Sequence, residues 1–149
     1  MIFITCGSFV GFDELMKKVD ELVSEGIIKE SVIAQIGNGK YAPKNFKWFR
    51  YAPTLAPYFK KADLVISHEG AGTIFELATL GKKSIIITNP KSVDNPDLVM
   101  KMSQNKHVLW CKTLNQLEKY VTLSKKFKFV RYKPPVCNIP KLIERYLSS

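Results

Sequence analysis

Ala62-Asp63-Leu64-Val65-Ile66-Ser67-His68-Glu69-Gly70-Ala71-Gly72-Thr73-Ile74-Phe75-Glu76-Leu77-Ala78-Thr79-Leu80-Gly81 is the stretch whose reading decides the fold. Leu64–Ser67 is an apolar run of strand length, Thr73–Leu80 reads as a helix, and Gly81 stands where a helix end favours a left-handed residue. Small residues join the two, so the stretch is one βα unit. The same alternation continues outward in both directions. Strands are expected at Ile2–Thr5, Val32–Ile36, Lys47–Tyr51, Leu64–Ser67, Ser84–Thr88 and His107–Cys111. A helix over Asp13–Ser24 would carry Leu15, Val19, Leu22 and Val23 on one face, with Asp13 as its N-cap and Gly26 just past its end. Others are expected at Asn95–Gln104, after a Thr113 cap with Leu114, Leu117 and Val121 on one face, and at Ile139–Leu147. Repeated βα units of this kind define an α/β chain around a parallel sheet.

The sequence has 149 residues, 46% hydrophobic and 24% charged, which is one ordinary globular domain. That composition excludes disordered, collagen-like and membrane-spanning chains, and the longest apolar run, Ser84–Thr88, is only strand-sized. Met1–Thr5 enters a turn directly, without the basic start and cleavage site of a signal peptide, so a cytoplasmic chain is expected. Cys6, Cys111 and Cys137 are odd in number and lack the spacing of a metal site, so buried thiols are expected. The formal charge of +10 is uneven. Lys125, Lys126, Lys128, Arg131, Lys133, Lys141 and Arg145 crowd the last stretch against Glu144 alone, interleaved with Phe127, Phe129 and Tyr132. By charge alone such a tail fits a nucleic acid, an anionic membrane surface, an acidic partner or simple solubility.

Ligands of open α/β sheets bind beyond the carboxyl ends of the strands, so the strand-to-helix turns carry the chemistry. Gly70-Ala71-Gly72-Thr73 would let phosphates approach backbone N–H groups at the positive end of a helix dipole. Glu76, about one turn into that helix, suits ribose hydroxyls; alternatively the glycines only make a tight turn and Glu76 completes a capping box with Thr73. Gly7-Ser8 supplies a second phosphate-facing loop, or an ordinary strand exit. His68 and Glu69 invite a general-base reading, yet adjacent residues leaving a strand point to opposite sides, which disfavours a hydrogen-bonded dyad. Walker-type, GxGxxG and GxSxG motifs are all missing from the sequence, against an NTPase, a dinucleotide-dependent dehydrogenase and a common esterase.

Ile2-Phe3-Ile4-Thr5-Cys6-Gly7-Ser8, Phe12-Asp13-Glu14-Leu15, Val19-Asp20-Glu21-Leu22, Gln35-Ile36-Gly37, the block Ala62–Ile74, Glu76 and Gly81-Lys82 carry a family resemblance over roughly residues 1 to 123. They resemble the donor-binding subunit of the two-subunit N-acetylglucosaminyltransferase of the dolichol pathway. They are similar also to bacterial capsule and exopolysaccharide glycosyltransferase subunits, and to the C-terminal half of the lipid II glycosyltransferase, a family 28 C-terminal domain. The resemblance implies a Rossmann-like parallel sheet with helices on both faces, equivalent to the C-terminal half of a GT-B glycosyltransferase. It implies a UDP-sugar donor, no cofactor and no metal. Gly7 and Ser8 would meet the diphosphate or sugar, Gly70, Ala71, Gly72 and Thr73 the phosphates, Glu76 the ribose, and the backbone near Tyr51 and Ala52 the base. His68, Asp94, Asn95 and Asp97 complete the expected donor site, with His68 the sole candidate for a catalytic role.

The implied enzyme is an inverting hexosyltransferase subunit, inactive without a membrane-anchored partner that holds a lipid-linked acceptor. It would act at the cytoplasmic membrane face. Residues 1–123 would form the nucleotide-sugar domain, and 124–149 a basic connector and a C-terminal helix packing on it. Three departures stand out. Glu69 replaces a usual alanine, Asp94-Asn95-Pro96-Asp97 replaces a usual Asp-Asn-His-Gln, and Lys83 stands in a usual Gly-Lys-Pro. A non-catalytic sugar-nucleotide-binding or scaffold protein is therefore the alternative reading. A nucleic-acid-binding domain is the weaker third, and no nucleic-acid partner is expected, because RNA binding would not require Gly70–Thr73 and Glu76 together.

Overall fold

The computed structural model describes residues 1–7, 10–92 and 96–135. Among them six strands, β1 (Ile2–Thr5), β2 (Val32–Gln35), β3 (Lys47–Phe49), β4 (Leu64–His68), β5 (Ser84–Ile87) and β6 (Leu109–Cys111), pair in parallel in the order β3-β2-β1-β4-β5-β6. The order reverses between β1 and β4, so the chain leaves these neighbours to opposite faces and opens a crevice at their carboxyl ends. Thr5 is level with Ser67 in that pair, which places both strand exits at one height.

Alternate strand residues feed two cores, as the pleat requires. Ile2, Ile4, Ile66, Ile85 and Ile87 meet Leu15, Val19 and Leu22 of α1 (Asp13–Ser24) and Leu117 and Val121 of α5 (Leu117–Lys126). On the other face Phe3 and Val65 pack on Phe59 of α2 (Ala56–Lys61) and Leu77 of α3 (Ala71–Leu80). Ile86 meets Ile74, Ala78 and, from α4 (Pro96–Gln104), Val99 and Met102. These side chains are nearly inaccessible, and each fully buried aliphatic contributes about 1.5–3 kcal/mol. Helices thus cover both faces, as a parallel sheet needs.

Several local expectations change. The helix α2 was not legible, since in six residues only Phe59 is buried and no apolar period develops. α3 begins at Ala71, two residues before the expected Thr73, with Gly70 as its N-cap. Phe12, not Asp13, is the N-cap of α1. Asp13 instead accepts hydrogen bonds from the Lys40 and Tyr41 backbone amides, 2.9 and 3.1 Å away, tying α1 to the loop after β2. Nearby, Gly11 approaches Gly39 so closely that a Cβ on Gly11 would lie 2.4 Å from the Gly39 Cα. A short 3-10 turn at Leu114–Gln116 precedes α5, which then runs through Lys126, past the expected boundary at 123/124, because Ser124 is buried and its hydroxyl bonds the Val121 carbonyl at 2.7 Å.

Only from Phe127 is the chain a connector, and it is a strap. Phe127 and Phe129 pack against the α1/α5 core. The Val130 amide then donates to the Lys106 carbonyl, the Tyr132 amide to the Ala78 carbonyl and the Arg131 guanidinium to the Thr79 carbonyl. The His107 Nδ1 lies 2.7 Å from the Val130 carbonyl and so carries the proton of that bond. The strap therefore joins α5 on one face to α3 and α4 on the other. The expected helix at Ile139–Leu147 and Cys137 lie outside the described residues.

Candidate functional site

The crevice between β1 and β4 is built from two turns and one ring. β1 exits through Cys6 to Gly7, whose φ of +71° lies in the left-handed region. A Cβ there would come within 2.9 Å of the His68 Cε1, and one on Gly70 within 3.3 Å of its Nε2. The half-buried His68 ring is thus wedged between the turns, and glycine at both positions makes room for it. Burial pushes the Cys6 thiol up to about 12 and the Cys111 thiol up to about 11, so neither is a nucleophile at neutral pH.

Gly70 caps α3 with extended backbone and supplies no side-chain hydrogen bond to the helix. The first-turn N–H groups, which no intrahelical carbonyl can satisfy, therefore open toward the crevice. Nothing lies within 4 Å of a Cβ built on Gly72, and Gly72 is exposed. Thr73 is the third residue of the helix rather than its cap, so the capping box with Glu76 does not form. Glu76 is exposed on the next turn. This is an anion-accepting helix end with a carboxylate about one turn away.

At the ends of β2 and β3, Gly37, Asn38, Arg50 and Tyr51 line a recess of about 250 Å³. The Arg50 guanidinium donates to the Gly37 and Gly39 carbonyls at 3.2 and 3.0 Å and lies over the Trp48 ring, while Tyr51 is 67% exposed and Ala52 half-buried. Across the crevice, Phe12, Glu14, Thr88, Pro90, Lys112 and Thr113 belong to a second recess of about 370 Å³. The Lys91–Glu14 ion pair at 2.5 Å ties the loop after β5 to the first turn of α1 beside it. Its hydrogen bond, more than the charge attraction, holds the Glu14 carboxyl below and the Lys91 ammonium above their usual ranges.

The structure thus brings Gly7, His68, Gly70, Ala71, Gly72 and Thr73 to one crevice, with Glu76 on its rim and Tyr51 and Ala52 one strand exit further on. Asp97 is exposed in the first turn of α4. Ser8, Asp94 and Asn95 lie outside the described residues. Sequence reasoning missed Arg50, whose partners lie 11 and 13 residues away. It also missed where Glu69 goes: its buried carboxylate accepts hydrogen bonds from Thr88 and Trp110. Among the described residues no cluster of three His, Cys, Asp or Glu side chains could hold a metal ion. Nor, among them, is any helix long and apolar enough to cross a membrane.

Strand order and crevice define an α/β domain of the doubly wound, Rossmann-like class. Residues 1–128 match the glycosyltransferase family 28 C-terminal domain, and the chain belongs to that family. It is 33% identical over 123 residues to the human UDP-N-acetylglucosamine transferase subunit ALG13, covering 74% of this chain and 11% of that protein. It is 27% identical over 169 residues to the Clostridium tetani UDP-N-acetylglucosamine--N-acetylmuramyl-(pentapeptide) pyrophosphoryl-undecaprenol N-acetylglucosamine transferase, covering 97% of this chain and 46% of that one. The crystal structure of Acinetobacter baumannii MurG superimposes with a TM-score of 0.63 at 22% identity, over 82% of this chain and 40% of that one. The fold is accordingly that of the C-terminal half of a GT-B glycosyltransferase. The chain spans about a tenth of the length of its mammalian relatives.

Proposed function

We propose that this chain binds a UDP-sugar and serves as the donor half of an inverting glycosyltransferase, moving N-acetylglucosamine or another hexose to a lipid-linked acceptor. The observation that carries the reading is the meeting, at the switch point, of the Gly7 turn with the N-terminus of α3, which has no side-chain cap, and Glu76 on the rim. Family membership and the N-acetylglucosamine transfer for which the human and Clostridium tetani relatives are named support the donor. In this reading the diphosphate lies over Gly7 and Gly70–Thr73. Glu76 accepts from the ribose hydroxyls, and the base enters the recess beside Tyr51 and Ala52. As the glycosidic bond breaks, charge grows on the departing diphosphate, and the amides of α3 are already oriented to receive it. No cation is required for that step.

A GT-B active site is a cleft between two Rossmann-like halves, and these 149 residues supply one. The acceptor and the general base would come from a membrane-anchored partner, which would hold this chain at the cytoplasmic face. His68, wedged between two turns, orders them rather than serving as that base. Calorimetry with UDP, UDP-N-acetylglucosamine and a short RNA tests the reading. Binding of both uridine ligands and not of RNA is expected, whereas RNA binding without UDP binding would sink it.

A further inference from the structure

Glu69 immediately precedes the cap of α3, yet it is only 2% exposed. Its Oε1 accepts from the Thr88 hydroxyl at 2.6 Å and the Trp110 indole N–H at 2.9 Å, and the same indole N–H lies 3.1 Å from the Thr88 oxygen. The three residues belong to three adjacent strand ends. Glu69 leaves β4, Thr88 leaves β5 and Trp110 sits in β6. The Lys112 ammonium lies 4.6 Å from the Trp110 ring centroid and covers its outer side.

A buried carboxylate must be matched by donors or destabilise its surroundings, and water cannot replace these two. The triangle therefore adds a polar tie between two chain exits that also share a strand ladder and the packing of Ile74 on Ile86. One leads through Gly70 into the first turn of α3, the other through Asn89 and Pro90 toward α4. We propose that Glu69 is a positioning residue, tied through Thr88 and Trp110, that holds the α3 turn in register with Asn89 and Pro90 at the exit of β5 so that both exits meet the donor's diphosphate together. The inference rests on the donor reading above. Glu69 does not touch the ligand in this scheme. Its carboxylate faces the strands, and it acts through the backbone of Gly70.

The test compares wild type with Glu69→Gln and Glu69→Ala, each checked by circular dichroism and titrated with UDP and with uridine. The Gln amide oxygen accepts the same two bonds, so UDP affinity should stay within about threefold of wild type, whereas Glu69→Ala should weaken UDP on the order of tenfold and leave uridine nearly unchanged. Unaltered UDP binding by the Ala variant overturns the proposal. So does an equal loss with uridine, or a Gln variant as weak as Ala. If Glu69→Ala fails to fold, Trp110→Phe removes one donor alone and should show the same UDP-selective weakening at about threefold. If the wild type binds no UDP, the donor reading has failed and the tie is judged by NMR. Broadening of the Gly70–Gly72 amide signals in Glu69→Ala, restored in Glu69→Gln, supports it, and unchanged sharp signals overturn it.

Discussion

Asp20 and Glu69 are both acidic, both almost inaccessible, and differently employed. Asp20, on α1, is closed off by one short segment: the Tyr41 hydroxyl, the Lys44 and Asn45 amides and the Asn45 side chain all donate to it, at 2.7 to 3.1 Å. Glu69 takes its donors from two other strand ends, next to an open crevice. The first carboxylate folds a loop onto a helix and has no further reach. The second sits where a small shift of backbone is a shift of the site. A buried charge therefore becomes functional through what lies one residue along the chain rather than through how well it is matched.

The largest effect expected from this contrast is on stability. Asp20→Ala leaves the Lys44 and Asn45 amides without their acceptor and should cost about 3 kcal/mol in urea unfolding, with UDP affinity in the remaining folded protein unchanged. Burial opposes the charge of Asp20, but the donated hydrogen bonds outweigh it and hold its carboxyl below the ordinary 3.8. Its contribution is thus present above that value and lost as pH falls through the lowered one, because there the unfolded state binds the proton first. Asp20→Asn should remove that acid-side slope. A slope equal to wild type would assign it to other carboxyls.

Next in size is Glu76→Ala, which should lose about 1.5–3 kcal/mol of UDP affinity while the urea midpoint stays put. Unchanged affinity would remove Glu76 from the ribose. Gly7→Ala mixes the two kinds of effect. The left-handed backbone alone costs a side chain about 1–2 kcal/mol, and the new methyl must displace the His68 ring. Stability and UDP binding should fall together, and a loss confined to stability would separate this turn from the site. Asp97→Gln should have the smallest effect, a modest tightening or a changed preference across a panel of UDP-sugars, with identical affinities marking Asp97 as solvent-facing. EDTA should leave UDP binding unaltered, and a loss on chelation would refute the metal-free donor site.

The parallel sheet and the crevice were legible because their signals are local. Apolar runs set the strands, and Gly70-Ala71-Gly72 marks a hand-over within a few residues. The exact start of α3 was misplaced because Thr73 resembles a cap in isolation, whereas the exit of β4 makes Gly70 the cap. Asp13 looked like a cap for the same reason, and only the loop at Lys40 and Tyr41 shows what it binds. Glu69 could be read as unlikely to pair with His68 from strand alternation. Its real partners, 19 and 41 residues away, follow from strand order alone. Arg50 and the Asp20 loop were hidden likewise, since tertiary hydrogen bonds leave no period in the chain.

The family match ends at residue 128, but the fold's mechanics do not. The strap through Val130, Arg131 and Tyr132 works as a belt buckled onto the carbonyls of Ala78, Thr79 and Lys106. A pull on the chain beyond Tyr132 would load α3 from its far end, the end opposite the crevice. Trimming the protein back to residue 128 would unbuckle that belt and free the tail of the helix whose head faces the crevice. Any tension or docking at the basic end is thereby wired to the same rod that presents Gly70 and Glu76.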